Sequence, residues 1–327
     1  MSREPILSVE DLHVWFDLSG DSELPAVQGV SFELRPGERM GLVGESGCGK
    51  TTTILAMMGL LPSSASVAGS VSLDGENIMA RGEDTVSPHR WKDIAMVFQG
   101  AMNAFNPVKT IGSQIVEPME LHGTATGKAA RGQTRELLEL VGISGDRVNN
   151  YPHEFSGGMR QRAAIALALA CEPRVLLADE PTTALDVMVQ AQILELLVRL
   201  TRDLGLSMIL VTHDLPVVAQ VCDRAAVMYA GEIVEMGAMS SIYHDPRHPY
   251  TRMLFGATPD LLGDADVLSI PGAPPRLDRE IMGCPFAPRC DSAFAPCATV
   301  APRRMETSPG HEAVCHLNDH VVAKEPA

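Results

Sequence analysis

Eight residues, Gly44-Glu45-Ser46-Gly47-Cys48-Gly49-Lys50-Thr51, have the types and spacing that hold phosphate. A glycine, four residues and then Gly-Lys-Thr form the phosphate-loop pattern, with Thr52 continuing the run. An apolar stretch from Met40 to Val43 enters it, and a helix-compatible run from Thr52 to Met58 leaves it. Strand, glycine loop and helix are the context the pattern requires. The glycines let backbone N–H groups turn toward phosphate oxygens, and the helix start adds unpaired N–H groups and a positive dipole end. Lys50 would set its ammonium on the β- and γ-phosphates, and Thr51 its hydroxyl on Mg²⁺. Cys48 stands beside Lys50, a neighbourhood that lowers a thiol pKa. Its oxidation would block the nucleotide, although a small residue tolerated in the loop is the plainer and more common reading.

Four further pieces could act on a bound triphosphate. Val175-Leu176-Leu177-Ala178 reads as a buried strand, and Asp179 at its end is placed to reach Mg²⁺. Glu180, next in the chain, is suited to act as general base on an attacking water. His213 ends the following strand, Met208 to Val211, where ligands of open α/β sheets gather. It could contact the γ-phosphate, although a lone His is more often structural. Gln99 closes the short strand Ile94 to Phe98 and could sense Mg²⁺ and water. Ser156-Gly157-Gly158 opens a helix and makes a second anion-binding N-terminus. Two such helix starts in one chain are economical if each closes on the nucleotide of a partner in a head-to-tail dimer.

The elements that must position these groups alternate between strand and helix. Strand patterns cover Ile6 to Phe16 and Val27 to Leu34, joined through Gly20, Asp21 and Pro25. Val67 to Ile78 alternates about Asp74-Gly75 as another hairpin. Residues 100–172 change character: turn residues Asn103, Asn106 and Pro107 give way to helical runs at Glu136 to Val141 and Gly158 to Ala170. This predicts a helical insert. Val187 to Leu204 is amphipathic, and strands follow at Ala225 to Tyr229 and Ile233 to Met236. From about Gly256 the chain turns proline-rich and shows no long helix or strand pattern. Domains are therefore expected at 1–255, with the insert at about 100–172, and at 256–327.

Composition narrows the classes. The 327 residues carry a formal charge of −15, which argues against nucleic-acid partners. No apolar run reaches bilayer length, and no apolar h-region follows Met1-Ser2-Arg3-Glu4-Pro5, so a cytoplasmic location is expected. Four of the seven cysteines fall near the end. Cys284, Cys290, Cys297 and Cys315 are separated by five, six and seventeen residues, which is neither a zinc-ribbon nor a ferredoxin spacing. Four thiolates could still staple a short arm around one metal centre, and spacing leaves zinc an equal candidate; unliganded thiols remain the plain alternative. His311 and His316 flank Cys315 as spare ligands or, more simply, surface residues.

Taken in order, these motifs resemble the ATP-binding subunit of an ABC transporter over residues 6 to about 255. The resemblance implies a P-loop α/β core with an antiparallel β subdomain, a helical insert and ATPase activity. By it, Gly44 to Thr52 is the Walker A loop, Gln99 the Q-loop and Ser156-Gly157-Gly158 the signature motif. Asp179-Glu180 is Walker B with the catalytic Glu, Thr183-Ala184-Leu185-Asp186 the D-loop and His213 the switch His. Phe16, with Trp15 as alternative, falls at the adenine-stacking position. Met159 departs from the Gln most relatives carry. His248-Pro249-Tyr250-Thr251 and Gly283-Cys284-Pro285-Phe286-Ala287-Pro288-Arg289-Cys290 resemble the oligopeptide/dipeptide importer branch. That branch implies two transmembrane permease subunits and a second ATPase chain, identical or sister. It also implies an extracytoplasmic substrate-binding protein, attachment to the inner membrane face, and a four-iron four-sulfur cluster on the four cysteines. Nickel or sugar import by the same motor, and a soluble non-transport ATPase, are the alternatives.

Overall fold

The computed structural model describes residues 4–18, 22–80, 82–100, 104–256, 270–279 and 281–319. Gly20, Asp21 and Asn103, and the stretch just after Gly256, lie outside the described residues. In chain order the first elements are strands β1 (Leu7–Asp17), β2 (Glu23–Leu34) and β3 (Arg39–Val43), then helix α1 (Lys50–Met57). Strands β4 (Ala65–Leu73) and β5 (Glu76–Asn77), helix α2 (Glu83–Val86) and strand β6 (Ile94–Val97) follow. The expected insert holds α3 (Ile111–Leu121), α4 (Gly127–Leu140) and α5 (Gly157–Ala168). Then come β7 (Val175–Asp179), α6 (Val187–Leu204), β8 (Ser207–Thr212), α7 (Leu215–Val221), β9 (Arg224–Tyr229) and β10 (Glu232–Ala238). Helices α8 (Met239–His244) and α9 (Pro249–Gly256) precede strands β11 (Arg304–Ser308) and β12 (His311–Val314).

The chain forms two compact units. One is built on Leu73–Val211 with two short earlier pieces. There β6, β7 and β8 run parallel, with Ile94 opposite Val175 and Val175 opposite Ser207. Every residue of these strands is buried, which explains their unbroken apolar sequence: both faces are covered. The run read at Glu136 to Val141 is the end of a longer helix, α4. Helix α3 starts where the Thr110 hydroxyl accepts the Ser113 N–H at 3.3 Å. α6 has the bounds its amphipathic pattern predicts. It is capped by Asp186, whose carboxylate accepts the Val189 N–H at 2.9 Å, and stopped by Gly205 at φ +67°.

The other unit joins residues 8–33, 40–72 and 212 onward. Strands β2, β1 and β4 are hydrogen-bonded in that order, and a second sheet runs β3, β9, β10, β12, β11. β3 and β9 are parallel; the other pairs of this sheet are antiparallel. The break in composition near Gly256 is thus no break in packing, because β12 pairs directly with β10. The absence of a strand pattern in the arm misleads: β11 and β12 are four or five residues each, too short for periodicity to register. Glu235 of β10 is 1% exposed and accepts backbone N–H groups of Arg247 (2.7 Å) and His248 (2.9 Å). His311 Nε2 lies 2.7 Å from the same carboxylate. His311 and His316 are therefore buried and engaged rather than surface residues, His316 Nε2 lying 2.8 Å from the Val300 carbonyl.

Candidate active site

The phosphate loop runs from the end of β3 into α1 and belongs to the second unit, as does His213. Gly44, Gly47 and Gly49 take φ values of +150°, +80° and +104°, which only glycine adopts readily. Gly44 also has no room for a side chain. A Cβ there would sit 2.2 Å from the Met228 carbonyl oxygen, in the neighbouring strand β9. Lys50 is buried, and its ammonium donates to the carbonyls of Gly44 (2.7 Å) and Glu45 (2.9 Å). The cation is thus held over its own loop by neutral acceptors, which an anionic ligand can replace with gain.

Cys48 departs from expectation. Its thiol is 5% exposed, and burial pushes its pKa up, outweighing the lowering by Lys50. Burial and a raised pKa count against the redox-sensitive reading of this residue and favour the plainer one, a small residue tolerated in the loop. Trp15 stacks on His13, with ring centroids 5.3 Å apart. Phe16 is half-buried and, by the alternation of β1, belongs to the opposite face.

The first unit carries the acidic half of the constellation. Asp179 ends β7 and is 2% exposed. Glu180 follows in the left-handed region at φ +43°, and its N–H donates to the Val211 carbonyl at 2.8 Å. A non-glycine residue in that region is strained, as residues at functional sites often are. Its Oε2 accepts from Gln99 Nε2 and from Thr183 Oγ1, each at 2.9 Å. Gln99, Glu180 and the Thr183 that opens the D-loop thus meet on one oxygen, although 81 residues separate the first two. Ser156 caps α5, its Oγ accepting the Met159 N–H at 3.3 Å. Gly158 lies so close to α6 that a Cβ would meet Val189 at 2.7 Å. Met159 takes part through its backbone, so the change of side chain leaves this cap intact.

Sequence reading missed Tyr250 and Arg289. The Tyr250 hydroxyl accepts the Glu45 N–H at 2.8 Å. Arg289 grips the Glu45 carboxylate with both terminal nitrogens, at 2.6 and 2.9 Å. Glu45 sits 244 residues from Arg289, and no periodicity signals such a pair. The only sequence sign was the placing of Arg289 within a cysteine-flanked run.

In the arm, Cys284, Cys290, Cys297 and Cys315 line one cavity, with His248 and Phe286 among the other walls. None is in a disulfide. Burial outweighs the pKa lowering by nearby backbone at three of them: that of Phe286 and Ala287 at Cys284, of Ser292 at Cys290 and of Leu317 at Cys315. Burial raises the pKa of Cys284 and Cys290 and pushes Cys315 up to about 11. Among the described residues no group of three or more His, Cys, Asp or Glu is disposed to hold a single metal ion.

The profile described as ABC transporter matches residues 27–183, and that described as oligopeptide/dipeptide transporter, C-terminal region, matches residues 234–297. The chain is 48% identical over 321 residues to the dipeptide transport ATP-binding protein DppD of Bacillus subtilis (strain 168), covering 97% of this chain and 96% of that one. It is 43% identical over 315 residues to the oligopeptide transport ATP-binding protein OppD of Escherichia coli (strain K12), covering 95% and 93%. Among solved structures, the ATP-binding cassette MJ0796, dimeric in a post-hydrolysis state with ADP and Pi, has a TM-score of 0.63. It is 27% identical, over 71% of this chain and 98% of that one. With its phosphate loop, its Gln99–Glu180 pair and this likeness along nearly its whole length, the chain belongs to the ATP-binding subunits of ABC transporters, in the branch that includes dipeptide and oligopeptide transport proteins.

Proposed function

We propose that the chain is the ATP-hydrolysing motor of a peptide importer, acting as one of a pair of ATPase chains on the cytoplasmic face of the cell membrane. The observation that carries this is the likeness to a dipeptide transport ATP-binding protein along 97% of the chain, the arm included. Among the described residues no helix is long and apolar enough to cross a membrane, so attachment falls to two permease subunits. An external binding protein delivers cargo. Val108 and Leu121 of the helical insert, 79% and 75% exposed, are suited to a permease surface, and the exposed Val187 and Met188 beside the D-loop to the second ATPase chain.

In this reading Phe16 stacks on adenine and Gly44 to Thr52 wrap the phosphates. Lys50 exchanges its carbonyl contacts for the β- and γ-phosphate oxygens. Thr51 and the buried carboxylate Asp179, with Gln99, are the groups to hold Mg²⁺, which when bound neutralises phosphate charge. Glu180, oriented by Gln99 and Thr183, takes a proton from water as the water oxygen bonds to the γ-phosphorus. The bond from that phosphorus to its bridging oxygen breaks, and ADP carries away the electron pair. His213 donates to the γ-phosphate oxygens. Ser156, Gly157 and Gly158 supply N–H groups to the partner chain's nucleotide.

The test is uptake in the source cells with labelled dipeptide, a longer peptide and nickel, comparing the unaltered chain with Glu180→Gln. Loss of peptide uptake in the variant is the expected result. Loss of nickel uptake alone would move the motor to metal import.

The arm is part of the same reading. Four free thiols around one cavity are the donor set of a four-iron four-sulfur cluster, which Cys thiolates hold. A single zinc ion is the rival, and among the described residues no three such ligands are disposed around one ion. The cluster would hold the arm in register; cation charge in the cavity reverses the burial that favours neutral thiols. Protein purified without air is expected to be brown, with iron and labile sulfide each about four per chain. Cys290→Ser should lose most of both. Colourless, zinc-loaded protein would refute the cluster.

A further inference from the structure

Arg289 is buried, 7% exposed, and held on all sides. Its Nε donates to the Pro271 carbonyl at 2.8 Å, and its terminal nitrogens grip both oxygens of Glu45. Nη1 also donates to the Tyr229 hydroxyl at 3.3 Å, and the guanidinium lies 5.8 Å from the Tyr229 ring centre and 6.0 Å from that of Phe286. Tyr229, Tyr250 and Phe286 pack as a triangle with centroids 4.6 to 5.3 Å apart. Tyr250 from α9 reaches the Glu45 N–H, while Lys50 holds the Glu45 carbonyl. All three polar parts of one phosphate-loop residue are therefore fixed, the carboxylate by the arm. A carboxylate at the second position of a loop that receives a triphosphate is a charge of the wrong sign. Neutralised by a planar, bidentate cation it ceases to repel the ligand.

We propose that Arg289 is a positioning residue of the nucleotide site: the C-terminal arm supplies the cation that cancels the Glu45 charge and sets the phosphate loop for ATP. The inference rests on the reading of that loop as the ATP site. It makes the arm part of the ATPase machinery and ties the ordering of the cysteine-lined cavity to nucleotide affinity, because Arg289 immediately precedes Cys290.

The test is equilibrium binding of a fluorescent ATP analogue to the full-length chain and its variants, with KM and kcat measured alongside. Arg289→Met is expected to weaken binding and raise KM by about tenfold, the scale of one uncompensated charge near the phosphates, with kcat little altered. Arg289→Lys, which keeps charge but loses the fork, should fall between. Adding Glu45→Gln to Arg289→Met should recover most of the lost affinity, since the repelling charge is then gone. Thermal melting identifies a variant that fails to fold, and Arg289→Lys then carries the test. Unchanged affinity in Arg289→Met would overturn the proposal. So would a loss that Glu45→Gln leaves in place, because the arm would then serve folding alone. An unaltered chain that binds no ATP analogue would instead sink the reading of the loop itself.

Discussion

Glu180→Gln is expected to bind ATP and to hydrolyse it about 10²–10⁴-fold more slowly than the unaltered chain, the range that loss of a general base produces. The change is nearly isosteric, so the turn at Glu180, held by its N–H on the Val211 carbonyl at 2.8 Å, should persist. The side-chain amide can still present its oxygen to Gln99 and Thr183, both of which donate at 2.9 Å in the unaltered chain. It cannot take a proton from water at neutral pH. Affinity should therefore survive while turnover does not, and ATP trapped without hydrolysis should favour the paired form. Phosphate release and size-exclusion chromatography with ATP present read both effects. Hydrolysis at the unaltered rate would remove Glu180 from the role and leave the base to another group.

That pair shows how much of the site was legible beforehand. Asp179, Glu180 and Gln99 could each be marked because each stands at or just past the end of a short apolar strand, where a parallel sheet presents its ligand groups. The α6 helix was legible to the residue because its apolar stripe, its Asp186 cap and its Gly205 stop agree. What periodicity could not supply was long-range charge. Burial overrode the nearby cation at Cys48, and nothing local announces burial. Arg289 looked like any arginine in a loop until the fold closed it on Glu45. β11 and β12 escaped because an edge hairpin of so few residues is defined by its partner, β10, and not by its own pattern.

Gly44→Ala should lower ATP affinity by about 100-fold or more while leaving the chain folded, since a displaced phosphate loop loses its backbone donors and the Lys50 contact together. The reason is steric before it is conformational. The added carbon would stand 2.2 Å from the Met228 carbonyl oxygen and 2.8 Å from the Cys48 sulfur. Met228 cannot yield, because β9 is locked between β3 and β10 by its ladder bonds. The loop must therefore move, carrying with it the Gly44 carbonyl on which Lys50 rests. Gly47 separates this clash from simple backbone strain. It too has a positive φ, +80°, but a Cβ there meets nothing within 4 Å. Gly47→Ala should lose only the cost of the left-handed conformation, about 1 kcal/mol, or roughly fivefold in affinity. Titration of both variants with an ATP analogue, with melting curves to establish that each is folded, measures the difference. Equal losses would mean that the loop is not braced against β9 and that glycine is needed at both positions for its dihedral freedom alone.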